Sequence, residues 1–188
     1  MPGANWIRDQ GYAGPYSPKK HVYSSADINN FTANGWKNMT AKNYGAMRFA
    51  DVLLMAAECE VEVGSLAKAQ EYVNIVRTRA AAPGSAVPGS PAKYLIKNYT
   101  AAWNQAEARE AVRFERRLEL AMEGHRFFDL VRYDKNAATP NYAETALNDY
   151  LTVEKEKRLY LKAANPFAAK NKVYPLPERA IVLSKGAL

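Results

Sequence analysis

One cysteine, two histidines and no apolar run near the roughly 20 residues needed to cross a bilayer set the first limits on this 188-residue chain. With Cys59 alone, no internal disulfide and no thiolate metal cluster can be built. Its place between Glu58 and Glu60 in a helical pattern predicts a small apolar side chain turned into the core. Neither His21 nor His125 has a second His or Cys at ligand spacing, so no metal site is indicated. The sequence also lacks a glycine-rich phosphate cradle and any strand-turn-helix setting for Ser24, Ser25, Ser65 or Ser184, so neither a cofactor nor a serine nucleophile is expected. Its opening, from Met1 to Trp6, has no basic and then apolar signal pattern and no lipid-bearing cysteine.

What is present reads as one ordinary globular domain over 1–188: 48% hydrophobic and 24% charged residues. A net charge of +7 raises the question of nucleic acid. The distribution answers it, because the positive charges of the 113–119 stretch alternate with Glu at helical spacing instead of forming one basic stripe. The remaining excess (Lys155, Lys157, Arg158, Lys162, Lys170, Lys172) reads as a solvated face. No nucleic-acid partner is expected.

Along the chain, 1–43 is a loop-rich segment with turn signals at Gly14-Pro15, Ser17-Pro18 and Asn34-Gly35 and with aromatics that argue for order. A helical hairpin follows over 44–80. Its first helix, Tyr44 to Val63, buries Ala46, Phe49, Ala50, Leu53, Leu54, Ala57 and Val61 at three-and-four spacing. Gly64 ends it in a left-handed conformation and Ser65 caps a second helix, Leu66 to Ala80, with Ala69, Tyr72, Val73 and Val76 inward. A Pro/Gly/Ser connector fills 81–100. Helices are predicted over 101–160: Ala101 to Glu123 with Trp103, Ala106, Ala111, Phe114, Leu118, Ala121 and Met122 as core, a short turn from Arg126 to Tyr133, and a more polar outer helix from Asn141 to Arg158. The tail, 161–188, is extended around Pro166, Pro175 and Pro177, with a last turn from Glu178 to Leu183. The fold class is mostly α, with irregular aromatic loops.

The hairpin fits a tetratricopeptide-like unit, with small Ala57 and Ala69 where the helices approach and Gly64 at the turn. No second copy follows at a period near 34, so a helical face is expected to lack cover. Four stretches then carry a wider resemblance: Met47 to Glu58 (MRFADVLLMAAE), Ala69 with Asn74 to Ala80 (NIVRTRA), Arg113 to Tyr133 (RFERRLELAMEGHRFFDLVRY) and Val173 to Pro177 (VYPLP). Together they resemble the C-terminal part of the SusD/RagB family. The resemblance implies helix pairs beside a loop-rich region, a surface lipoprotein of Gram-negative outer membranes, and partners in the form of a SusC-like TonB-dependent transporter and an oligosaccharide. The family's signal peptide, lipidated cysteine and N-terminal helix pairs are missing from this chain, which is therefore expected to be a fragment, with membrane attachment only through an anchor it does not carry.

Two groups of residues remain to be read chemically. Glu115, Glu119 and Glu123 sit four apart on one helix face among Arg113, Arg116, Arg117 and Arg126. General acid-base work needs opposed carboxyls with separated pKa values, whereas neighbouring arginines hold acids ionised. The block, with Asp129 and Arg132, is expected to be a structural ion-pair network, and the protein no enzyme. Sugar binding needs flat apolar faces with nearby polar groups, which Trp6, Tyr12, Tyr16 and Trp36 provide beside Asn5, Asp9, Gln10, Asn34 and Asn38. Packing of those rings against the helices is the alternative. The expected function is non-catalytic nutrient binding; its rivals are a tetratricopeptide-like scaffold that binds only protein and a glycosidase accessory or hydrolase domain.

Overall fold

The computed structural model describes residues 7–10, 20, 45–85 and 93–185, and over these the chain is mostly α, with no strand. The helices are α1 (Phe49–Val63), α2 (Leu66–Ala81), α3 (Gln105–Glu119), α4 (His125–Tyr133), α5 (Tyr142–Lys157) and α6 (Glu178–Leu183). The chain divides into two compact units, Met1–Gly124 and His125–Leu188.

In the first unit α1, α2 and α3 pack on one another. Leu53, Leu54, Ala57 and Val61 of α1 meet Ala69, Val73 and Val76 of α2 and Ala108 and Val112 of α3. Ala57, Ala69 and Ala108 are fully buried, and their small side chains let the three helices approach closely. The Ser65 hydroxyl accepts from the Lys68 N–H and caps α2 as its residue type predicts.

Gly64 plays a different part from the one expected. Its φ is −130°, not left-handed. The Glu60 carboxylate folds back over it to accept the Ser65 N–H at 2.8 Å, in the space a Cβ at position 64 would take, so a side chain there would displace that carboxylate. The first helix starts at Phe49 and not near Tyr44. Arg48, the residue before it, is extended and gives no side-chain cap, because a guanidinium has no acceptor to offer; it reaches α3 and the turn beyond it instead. The third helix starts at Gln105 and not at Ala101. Asn104 and Glu107 form a reciprocal capping box there, which fixes the first turn.

The buried face of α3 differs from the predicted one. Phe114, Leu118 and Met122 are half or more exposed, as are Phe49 on α1 and Met47 before it, while Ala108, Val112, Arg113, Glu115 and Arg116 are buried. A close approach to the hairpin admits short apolar side chains and paired charges, so the bulky apolar positions turn away. Cys59 is exposed, against the expectation of burial. It shares an outward stripe of α1 with Val52, Met55 and Val63 at helical spacing, opposite the face that carries Leu54, Ala57 and Val61.

Between the first unit's second and third helices, residues 93–103 run beside α2. Asn74 of α2 donates from Nδ2 to the Tyr99 carbonyl and accepts the Tyr99 N–H at Oδ1. The same helix supplies Gln70 Nε2 to the Ala101 carbonyl and Arg77 Nε to the Lys97 carbonyl, and Thr78 pairs with Asn98. These side chains recur every three or four residues, so one face of α2 holds the whole segment. Tyr99 and Trp103 pack edge to face at 5.0 Å against the core.

In the second unit α4 and α5 pack together with Leu130, Tyr133 and Ala143 buried, and Tyr133 meets Tyr142 edge to face at 5.5 Å. Asp134 Oδ1 accepts the Ala143 N–H at the start of α5, and Lys172 Nζ bridges Asp134 and Glu144 at 2.7 Å each. Burial opposes the Asp134 carboxylate, but the Lys172 and Ala143 hydrogen bonds outweigh it and hold its carboxyl below the usual range. The tail continues through a short 3-10 turn at Ala169–Lys172 to α6 after Pro177.

Candidate functional site

The Glu/Arg block of α3 faces two helices, and each acid finds an arginine outside its own helix. Glu115 is buried and receives Arg77 Nη1 from α2 at 2.7 Å; that guanidinium also lies 4.6 Å from the centre of the Tyr99 ring. Arg116 is buried too, and its Nη1 donates to Asp51 of α1 at 2.7 Å while its Nε lies 3.4 Å from Glu58. Farther along, Arg109 grips Glu62 of α1 with two parallel bonds of 2.7 and 2.8 Å.

At the C-terminal end of α3 the guanidinium of Arg48 makes four hydrogen bonds. Nε donates to Glu123, Nη1 to Glu119 at 2.7 Å, and Nη2 to Glu123 and to the Glu119 carbonyl. Lys20 donates to the same carbonyl and to Glu123, and Arg79 of α2 pairs with Glu119. Helix ends leave carbonyls without intrahelical partners, and Lys20 and Arg48 share one of them, that of Glu119. Burial disfavours the Glu123 carboxylate, yet the Arg48 and Lys20 hydrogen bonds overcome that and lower its pKa. Arg48 shifts the opposite way: burial pulls its pKa down, and Glu123 and Glu119 together raise it.

Arg113 is buried and lies 3.6 Å from Glu110 one turn earlier; Arg117 is exposed. Asp129 and Arg132 pair within α4 at 2.9 Å, and Arg126 lies on that helix, half-buried. The partners of the block, Arg48, Arg77 and Arg79 for its acids and Asp51 and Glu58 for Arg116, were not singled out in the sequence as charge partners. A signal was present, since Asp51 and Glu58 lie two turns apart on α1 within an otherwise apolar stretch. Carboxylates paired this way with guanidinium groups of neighbouring helices are suited to positioning those helices.

Beside this block, the outer face of α2 borders a groove of about 700 Å³ that includes Gln70, Asn74, Thr78 and Arg79. All four are committed to bonds with the 93–103 segment or Glu119. The charged side chain that remains on its lining is Glu71, which pairs with Lys68 at 2.9 Å. The candidate ligand residues Trp6, Tyr12, Tyr16 and Trp36 lie outside the described residues. Among the described residues no three His, Cys, Asp or Glu side chains converge as a metal ion would require.

Comparison with known proteins adds the following. The sequence profile of the SusD family matches residues 5–187. The chain is similar to "SusD-like protein P2" of Formosa agariphila, with 34% identity over 147 residues, which is 73% of this chain and 26% of that protein. It is similar to "SusD-like protein P25" of the same organism, with 43% identity over 86 residues, 46% of this chain and 14% of that protein. The matched regions thus span about a quarter or less of the length of these relatives. No solved structure matches it significantly.

Proposed function

This chain belongs to the SusD family, and on that footing we propose that it acts in non-catalytic capture of an oligosaccharide or other nutrient at the cell surface, for delivery to a SusC-like TonB-dependent outer-membrane transporter. Membership supports nutrient or glycan binding in general. The observation that carries the reading is the family match over residues 5–187, which takes in all four motif stretches. In this reading the whole protein sits at the outer-membrane surface.

The roles divide within the chain. Arg113, Glu115, Arg116, Arg117, Glu119, Glu123, Arg126, Asp129 and Arg132 serve structure, and Trp6, Tyr12, Tyr16 and Trp36 form the ligand surface. The geometry supports the first assignment, because Glu115, Glu119 and Glu123 all receive basic side chains from other elements. A glycan array with the purified chain tests both. Binding that is lost in Trp36→Ala and kept in Glu119→Gln is the expected result. Hydrolysis of a bound glycan, abolished by Glu115→Gln, would overturn it.

A second reading has its own observation. The uncovered apolar stripe of α1, with Val52, Met55 and Val63, suits a tetratricopeptide-like scaffold that binds protein alone. Retention by a SusC-like barrel together with no affinity for any glycan on the array would favour that scaffold.

A further inference from the structure

The segment 93–103 is held along α2 from one side. The bonds use the carbonyls of Lys97, Tyr99 and Ala101, every second residue, together with the Tyr99 N–H. Their partners Arg77, Asn74 and Gln70 step back along α2 by three and four residues, about 4.5–6 Å of helix, close to the roughly 6.6 Å that two residues of extended chain span. No turn or bend interrupts 93–100. The segment is therefore extended chain running antiparallel to α2, and in extended chain the backbone groups of successive residues point to opposite sides.

That alternation leaves a second edge. With residues 97, 99 and 101 turned toward α2, the N–H and C=O groups of Ile96, Asn98 and Thr100 point away from it, and none of these has a hydrogen-bond partner among the described residues. Asn98 and Thr100 are exposed and Ile96 is half-buried. A backbone with one edge satisfied and the other open is a template on which a further strand can pair.

The side chains beside this edge select the strand. Lys93, Leu95 and Lys97 stand at alternate positions and are exposed, Leu95 at 82%, and no carboxylate pairs with either lysine among the described residues. A second copy of the segment would bring lysine near lysine across an antiparallel pair, which opposes self-pairing. A strand with Asp or Glu at alternate positions and an apolar residue between them answers both lysines and Leu95, and the chain's net charge of +7 favours its approach. We infer that the open edge of 93–101 docks an extended acidic segment of a partner protein, which adds to it as a neighbouring strand.

The test uses the isotope-labelled 188-residue chain and two probes, the peptides Ac-TEVEVET-NH₂ and Ac-TKVKVKT-NH₂. At saturation the acidic peptide is expected to slow hydrogen exchange of the Ile96, Asn98 and Thr100 amides about tenfold or more, with little change at Leu95 and Lys97. It should bind about fivefold or more tighter than the basic peptide, a gap that narrows at high salt. Lys93→Glu with Lys97→Glu should reverse the preference; both side chains are exposed, so an unchanged urea midpoint is expected of this variant. Acidic peptide that binds without protecting those three amides, or does not bind, overturns the docking edge. Equal affinity for the two peptides, or a preference that the double variant leaves unmoved, overturns the selection of acid. Protection of the same amides that rises with chain concentration in the absence of peptide gives the edge to a second copy and overturns the acidic partner.

Discussion

Asn74 and Tyr99 are joined by both edges of one side-chain amide: Nδ2 donates to the Tyr99 carbonyl at 2.9 Å and Oδ1 accepts the Tyr99 N–H at 2.8 Å. A helix side chain here does what a neighbouring strand would do, satisfying both polar groups of a backbone that has no ladder of its own. The second unit repeats the device with Asn148 and Phe167. In both cases the residue held is an aromatic, and the clasp fixes the backbone from which its ring projects.

Replacing Asn74 by Ala should lower unfolding free energy by about 1–3 kcal/mol, since two backbone groups lose their partner. Asn74→Asp should do no better, because it sets a carboxylate oxygen against the Tyr99 carbonyl. Urea midpoints check the magnitude, and faster exchange of the Tyr99 amide checks the cause; an unchanged Tyr99 amide would show that the clasp does not hold the segment.

The buried Arg116 and Asp51 pair makes a sharper prediction. Arg116→Ala leaves Asp51 in the core without its guanidinium, which is expected to cost about 3–5 kcal/mol. Replacing both with apolar residues of similar size, Arg116→Met with Asp51→Leu, should restore most of the loss. A double variant as unstable as the single one would mean that the pair contributes by more than mutual neutralisation.

Acid should loosen the end of α3 in a defined direction. Glu123 has a lowered folded-state pKa, so its contribution is fully present above its unfolded value of roughly 4.3 and disappears as pH falls through the folded value below that. Glu123→Gln should therefore destabilise the chain at pH 7 and make its urea midpoint less sensitive to pH between about 5 and 3. Parallel pH profiles for the two proteins would contradict the assignment.

Cys59 should react with a maleimide in native buffer as fast as in denaturant, to one label per chain, because it is exposed on α1. Labelling that waits on unfolding would return the thiol to the core.

The stripe beside it predicts association. With Val63 at 91% exposure and Met55 and Val52 above a third, sedimentation of this chain should depend on concentration, and Val52→Lys with Met55→Glu should suppress that dependence. A monodisperse wild-type monomer at high concentration would mean that the stripe is covered in solution.

Much of the helical framework was legible because local rules govern it. The α1–α2 hairpin follows from apolar spacing, the Ser65 cap from its residue type, and the short helix after Gly124 from Phe127, Phe128, Leu130 and Val131; in the structure α4 begins at His125. The start of α3 could also have been read, since Asn104 and Glu107 stand at capping-box spacing before the helix. The inward face of α3 could not. Periodicity marked Phe114 and Leu118 as apolar, but whether a bulky or a small face turns inward depends on the distance to the neighbouring helices, and that distance is set by Ala57, Ala69 and Ala108 together.

By itself, then, the amino-acid order determined the class of the fold, the family and the ends of α1, α2, α4 and α5 to within a residue, because hydrophobic period, caps and motif stretches are properties of short windows; α3 ends at Glu119 and not at Glu123. Only the tertiary structure decided which charges meet. Glu115 has arginines of its own helix at neighbouring positions, yet its partner is Arg77, 38 residues away. Burial makes an ion pair selective for geometry, and geometry between helices exists only once they are packed.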